Sequence, residues 1–208
     1  MTDKPKYDPK IHHRKSIRLK GYDYARAGAY FITICCQNMK CTFGNIVGAG
    51  FTPAQNNIEH IKPQPKQGVP IAAQMVLNEY GIIAFNEWIK LAERFSNFEL
   101  DVFQIMPNHM HGIIVLNDAG ALHMGAQNDS RDDRAGASPA PTGNIIGAYK
   151  SLVSNECLKI YKIKNETMGK LWQRDYYEHI IRNEQSYKNI SNYIIHNPEH
   201  WKDDKFHR

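Results

Sequence analysis

No run of eighteen apolar residues occurs anywhere in this chain, so the sequence predicts no membrane-crossing helix. The opening MTDKPKYDPKIHHRKS lacks the apolar core of a secretory signal, which points to a cytoplasmic protein. Cysteine is scarce. Cys35, Cys36, Cys41 and Cys157 are too few to staple 208 residues, and no two of them form a CxxC pair. Cys36 and Cys41 lack the second Cys/His pair that a four-ligand zinc site needs, so they read as small thiols beside a strand. Acid is scarce in one place. From Lys10 to Arg26 the only acidic residue is Asp23, set against Lys10, Arg14, Lys15, Arg18, Lys20 and Arg26. Tyr22 and Tyr24 are interleaved with these cations. Basic side chains neutralise phosphates and aromatic rings offer faces to unstacked bases, so this stretch is a candidate nucleic-acid contact or a solvated arm.

The remainder is an ordinary globular composition, with 42% hydrophobic and 23% charged residues and a net charge of +5. Residues 29–36 (AYFITICC) and 41–47 (CTFGNIV) read as strands. Residues 78–95 place Ile82, Phe85, Trp88 and Ala92 at helical spacing, which predicts an amphipathic helix with that face on the core. Residues 99–106 and 109–116 read as two more strands around a Pro-Asn turn. A long helix is expected from Asn144, with Ile145, Tyr149, Leu152, Cys157 and Ile160 inward, ending near Gly169. A last helix, 183–196, stops at Asn197-Pro198. Two Gly/Ala/Pro-rich stretches, 48–73 and 117–143, read as loop insertions. The order predicts an α+β fold, a ferredoxin-like antiparallel sheet with helices packed on it.

The sharpest local feature is Met106-Pro107-Asn108-His109-Met110-His111 before the apolar run GIIVL. Strand side chains alternate, so His109 and His111 share a face and can hold one divalent ion together. Two satisfied histidines are the plain alternative. Far downstream, the helix after Trp172-Gln173 carries Tyr187 and Tyr193. A helix tyrosine beside a metal can attack a phosphate. With eleven tyrosines in the chain, packing is the default for any one of them.

Together these blocks resemble the HUH single-tyrosine transposases, and among them the REP-associated tyrosine transposases. The resemblance is carried by Gly28-Ala29-Tyr30-Phe31-Ile32-Thr33, the Pro107-Asn108-His109-Met110-His111 block, Leu171 to His179, and Tyr193-Ile194-Ile195-His196-Asn197-Pro198. It implies that residues 1–208 form a single transposase domain with a basic DNA-binding segment at 1–28. It implies that His109 and His111 ligate Mg²⁺ or Mn²⁺, and that a helix tyrosine forms a 5′-phosphotyrosine link to single-stranded DNA. Tyr187 is placed ahead of Tyr193 for that role. The third ligand is expected about one turn beyond the tyrosine, at Ser191, Asn192 or Asn197. The implied substrate is a palindromic, REP-like hairpin, contacted by Arg14, Lys15, Arg18, Lys20, Tyr22 and Lys150. Relatives include dimers and monomers, so a homodimer is compatible with the resemblance. Three rivals stand beside this reading. One is a non-catalytic hairpin-binding protein of the same fold. Another is an RNA-binding module, for which no aromatic sheet motif is evident in the sequence. The last is a water-using metallohydrolase.

Overall fold

The computed structural model describes residues 26–48, 72–95, 98–117 and 141–207. Expectations for Arg14, Lys15, Arg18, Lys20 and Tyr22, and for the two insertions apart from their ends, lie outside the described residues.

Strand β1 (Gly28–Cys35) pairs with β5 (His109–Leu116) on one side and β6 (Tyr177–Ile181) on the other, both antiparallel. Strand β4 (Phe98–Ile105) pairs antiparallel with β5, giving the order β4-β5-β1-β6. With helices α1 (Glu79–Ile89) and α3 (Pro141–Ile163), the main elements run β1-α1-β4-β5-α3-β6. That is the ferredoxin-like arrangement expected from the sequence. A separate two-stranded sheet, β2 (Gly44–Val47) with β3 (Gln74–Leu77), is set between β1 and α1. A short helix α2 (Leu91–Arg94) follows α1 across Lys90. Helix α4 (Glu184–His196) comes after the last strand and packs against β4 and β5.

Alternation sorts the two faces of the sheet. Tyr30, Ile32 and Ile34 of β1, with Met110 and Ile114 of β5, point into the core beside Trp88, Tyr149 and Val153 from the helices. Tyr149 donates to the Ala84 carbonyl at 3.0 Å and ties α3 to α1. Gly112 has a specific reason to be glycine. A Cβ there would come within 2.8 Å of the Trp88 ring, which lies directly behind β5.

Two expectations are corrected. The buried face of α1 is Gly81, Ala84, Glu87 and Trp88, whereas Ile82 and Phe85 are each 39% exposed and Ala92 is also exposed. At its start the helix packs so closely that a Cβ on Gly81 would meet the Phe43 carbonyl at 2.1 Å, so only glycine fits there. The long helix ends at Ile163, short of Gly169. Strand β6 was also missed, because it puts Glu178 on the buried face where an apolar residue is the signal.

Candidate metal and tyrosine site

His109 and His111 project from the face of β5 opposite the core helices, where α4 covers them. Both are buried. Their orientation is fixed by hydrogen bonds that can be read atom by atom. Asn108 Nδ2 donates to two carbonyls, Met39 at 3.2 Å and Phe206 at 2.8 Å. That settles the amide's orientation and leaves Oδ1 to accept from His109 Nδ1 at 2.8 Å. The His109 proton therefore sits on Nδ1, and the Nε2 lone pair faces His111 Nε2 at 3.0 Å. His111 Nδ1 lies 2.8 Å from Thr33 Oγ1. A hydroxyl donates or accepts, so Thr33 accommodates either tautomer of His111. With the proton on Nε2, His111 donates to His109. With it on Nδ1, both Nε2 lone pairs converge on one point.

Burial holds both rings in the neutral form that binds metals. The pKa of His109 is pushed down to about 4 by desolvation, helped by Lys205 and opposed by Asp204. That of His111 is held well below its usual value by burial, then by His109 and Lys205. Asp204 completes the cluster: one ligand atom from each of His109, His111 and Asp204 lies within 4.8 Å of the others, and the group could hold a metal ion.

Helix α4 brings the remaining groups. Tyr193 Oη lies 3.2 Å from His111 Nε2 and donates to Asp204 Oδ2 at 3.3 Å. Burial, followed by the charge of Asp204 and its hydrogen bond, pushes the Tyr193 hydroxyl up to about 12. Asn197 Nδ2 donates to Asp204 Oδ2 at 2.8 Å. Its Oδ1 is buried with no hydrogen-bond partner among the described residues. An orphaned buried oxygen is costly unless something positive meets it. Two neutral imidazole nitrogens and a carboxylate make a donor set that suits a divalent first-row ion. The 3.0 Å between the two Nε2 atoms is also close to the spacing of neighbouring ligands around an octahedral ion, roughly 3 Å for bonds of about 2.1 Å. The residues fit a metal.

The other sequence candidates are placed elsewhere. Tyr187 donates to Asp101 Oδ2 at 2.5 Å, where the pairing of β4 shifts register between Leu100 and Phe103. That hydrogen bond, with burial behind it, raises its pKa. Ser191 is buried one turn beyond Tyr187. Asn192 is exposed and accepts from His196 Nδ1 through its carbonyl at 2.9 Å. Lys150 donates to the carbonyls of Gln173 at 2.6 Å and Arg174 at 2.9 Å, which leaves one ammonium proton free of those two bonds. Burial lowers its pKa. Asp204 was missed altogether, since nothing local in WKDDKF marks one of two adjacent acids as a ligand.

No family model matches the chain. A protein of Haemophilus influenzae, described as uncharacterized, is 35% identical over 204 residues, covering 97% of each chain. The chain belongs to that protein's family. Among solved structures, a REP-associated tyrosine transposase bound to a REP hairpin is similar with a TM-score of 0.45 and 18% identity, covering 87% of this chain and 73% of that one. Among the described residues of this chain, the site described above is the one cluster of at least three His, Cys, Asp or Glu that could hold a metal ion. No helix among the described residues is long and apolar enough to cross a membrane.

Proposed function

We propose that this protein is a metal-dependent HUH single-tyrosine transposase that cuts and rejoins single-stranded, hairpin-forming DNA, with Tyr193 as nucleophile. One observation carries the reading: the Tyr193 hydroxyl lies 3.2 Å from a histidine of the candidate metal group, while Tyr187 on the same helix is bonded to Asp101. The sequence blocks that resemble such transposases agree with it.

The chemistry follows from the positions of the groups. Tyr193 Oη attacks a backbone phosphorus, the Oη–P bond forms, and the P–O3′ bond breaks. The tyrosine proton leaves by way of the Asp204 carboxylate, and the departing strand gains one as its free 3′-hydroxyl. Attack by a 3′-hydroxyl on the phosphotyrosine reverses the step and rejoins DNA. Mg²⁺ or Mn²⁺ held by His109, His111 and Asp204, with Asn197 Oδ1 as a further donor, would stabilise the charge that builds on the phosphate. Thr33 and Asn108 hold the two rings at their Nδ1 atoms. Arg14, Lys15, Arg18, Lys20 and Tyr22 would grip the backbone and flanking bases of the hairpin, and the free proton of Lys150 would reach a phosphate. Such an enzyme works on DNA in the cytoplasm.

A non-catalytic hairpin binder is the second reading, and Phe206 favours it: its ring packs 4.6 Å from His109 and 5.8 Å from His111. The two separate in one experiment. Protein is incubated with labelled single-stranded hairpin DNA with and without Mn²⁺ and run on a denaturing gel. The enzyme gives a covalent protein–DNA band that needs the ion and disappears in His109→Ala. Hairpin binding without any covalent band establishes the second reading instead.

A further inference from the structure

Helix α4 covers only part of the site face of the sheet. It packs on β4 and β5, and the β1–β6 half carries a different set of side chains. On β6, alternation buries Glu178 and Ile180 and turns Tyr177 and His179 outward. Tyr177 is 48% exposed. The register sets Thr33 opposite Tyr177 and Phe31 opposite His179, so Phe31 lies diagonally beside Tyr177 on the same face. Their ring centroids are 6.4 Å apart, edge to face.

This aromatic strip is continuous with the candidate site. The Phe31 ring lies 5.2 Å from His111 and meets Tyr193 edge-on at 6.3 Å. One path of rings therefore leads from the metal donors and the tyrosine hydroxyl, across Phe31, to Tyr177 at the open edge of the sheet. Lys205 sits beside that path, its ammonium 6.0 Å from the centre of the Tyr177 ring. An exposed aromatic ring beside a positive charge matches one chemistry well, an unpaired base together with its own phosphate.

We propose that the Phe31–Tyr177 strip is a stacking platform for an unpaired base of single-stranded DNA, the one next to the phosphate presented to Tyr193, with Lys205 meeting the backbone. The proposal rests on the strand-transfer reading for the identity of the strand. Its physical content, a preference for bases over bare backbone, is separable from cleavage. Stacking on one aromatic side chain contributes enough to change affinity by about tenfold or more. It is tolerant of base identity, because every base has a π face.

The test is equilibrium binding in the absence of divalent ion, with Tyr193→Phe as the parent protein so that no cleavage can contribute. The probes are a fluorescent oligothymidylate and a strand of the same length in which abasic residues replace the thymidines, keeping the phosphates and removing the bases. The parent is expected to prefer the thymidylate by about tenfold. Tyr177→Ala loses that preference without losing its residual, salt-sensitive affinity for the abasic strand, and Tyr177→Phe keeps it. Because Tyr177 is half in solvent, its removal leaves the core intact, and unchanged melting temperatures check this. A parent with no preference between the two strands, or a Tyr177→Ala variant with an undiminished one, would overturn the platform. Failure to form a covalent adduct in the separate gel assay bears only on the strand-transfer reading.

Discussion

Replacing Tyr193 by phenylalanine is expected to reduce the covalent protein–DNA adduct by about a thousandfold or more, while Tyr187→Phe lowers it by no more than several-fold. The two tyrosines share a helix and differ in what their hydroxyls touch. Tyr193 Oη is in contact with His111 and Asp204, so removing the oxygen removes the attacking atom itself. Tyr187 Oη is committed to Asp101 at 2.5 Å, and its loss costs a single hydrogen bond between helix and edge strand, on the order of 1 kcal/mol. The measurement is the rate of adduct formation on labelled hairpin DNA in Mn²⁺, with hairpin affinity recorded for each variant. Comparable affinities make the comparison one of chemistry. An adduct that persists in Tyr193→Phe and disappears in Tyr187→Phe would return the role to Tyr187.

Acidification is expected to destabilise the fold through the same histidines. In the unfolded chain His109 titrates near 6.5, and in the folded protein its pKa is pushed down to about 4. Above pH ~6.5 neither state binds the proton and the group contributes no pH dependence. Between about 6.5 and 4 the unfolded chain takes up a proton that the folded one does not, so stability falls as the pH falls. The sum for His109 alone is roughly 3 kcal/mol once pH drops to about 4. His111 is depressed in the same direction and adds to it. Carboxylates titrate in part of this window too, which calls for an internal reference. Urea unfolding of wild type and His109→Gln at about pH 7 and about pH 4.5 supplies one: the wild type loses about 2 to 3 kcal/mol more than the variant. Equal losses would mean that burial does not depress His109 in the folded protein.

The histidine pair was readable in the sequence because its geometry is local. Alternation along one strand puts His109 and His111 on one face whatever the rest of the chain does, and the apolar run after them marks a central strand. Most of the element order was readable for a similar reason, since β1, β4, β5, α3 and α4 each carry their own period, whereas β6, which completes the βαββαβ unit, was not. What failed depended on contacts across the fold. Large side chains set the expected face of α1, yet the close approach to Phe43 reserves the position at the start of the buried face for Gly81, with Ala84, Glu87 and Trp88 following. The choice between the two tyrosines also turns on such contacts, and the resemblance alone put Tyr187 ahead. In the structure Tyr187 bonds Asp101 beside the register shift in β4, and it is Tyr193 that contacts His111, the contact on which the proposed nucleophile rests. Phe31 and Tyr177 are far apart in sequence and share a surface only because β1 pairs with β6. No sequence window contains both.

Helix α4 lies outside the βαββαβ unit, joined to it after the final strand. The histidine pair and the Tyr193 hydroxyl beside it therefore come from different elements, and any local opening of α4 would part them. The sheet and its two core helices can stay closed while α4 opens as a unit, carrying Tyr193 and Asn197 away from His109 and His111. Its hold on the sheet includes buried Ile194 and the Tyr187–Asp101 hydrogen bond, so changes there act on the placement of Tyr193 before they act on the core.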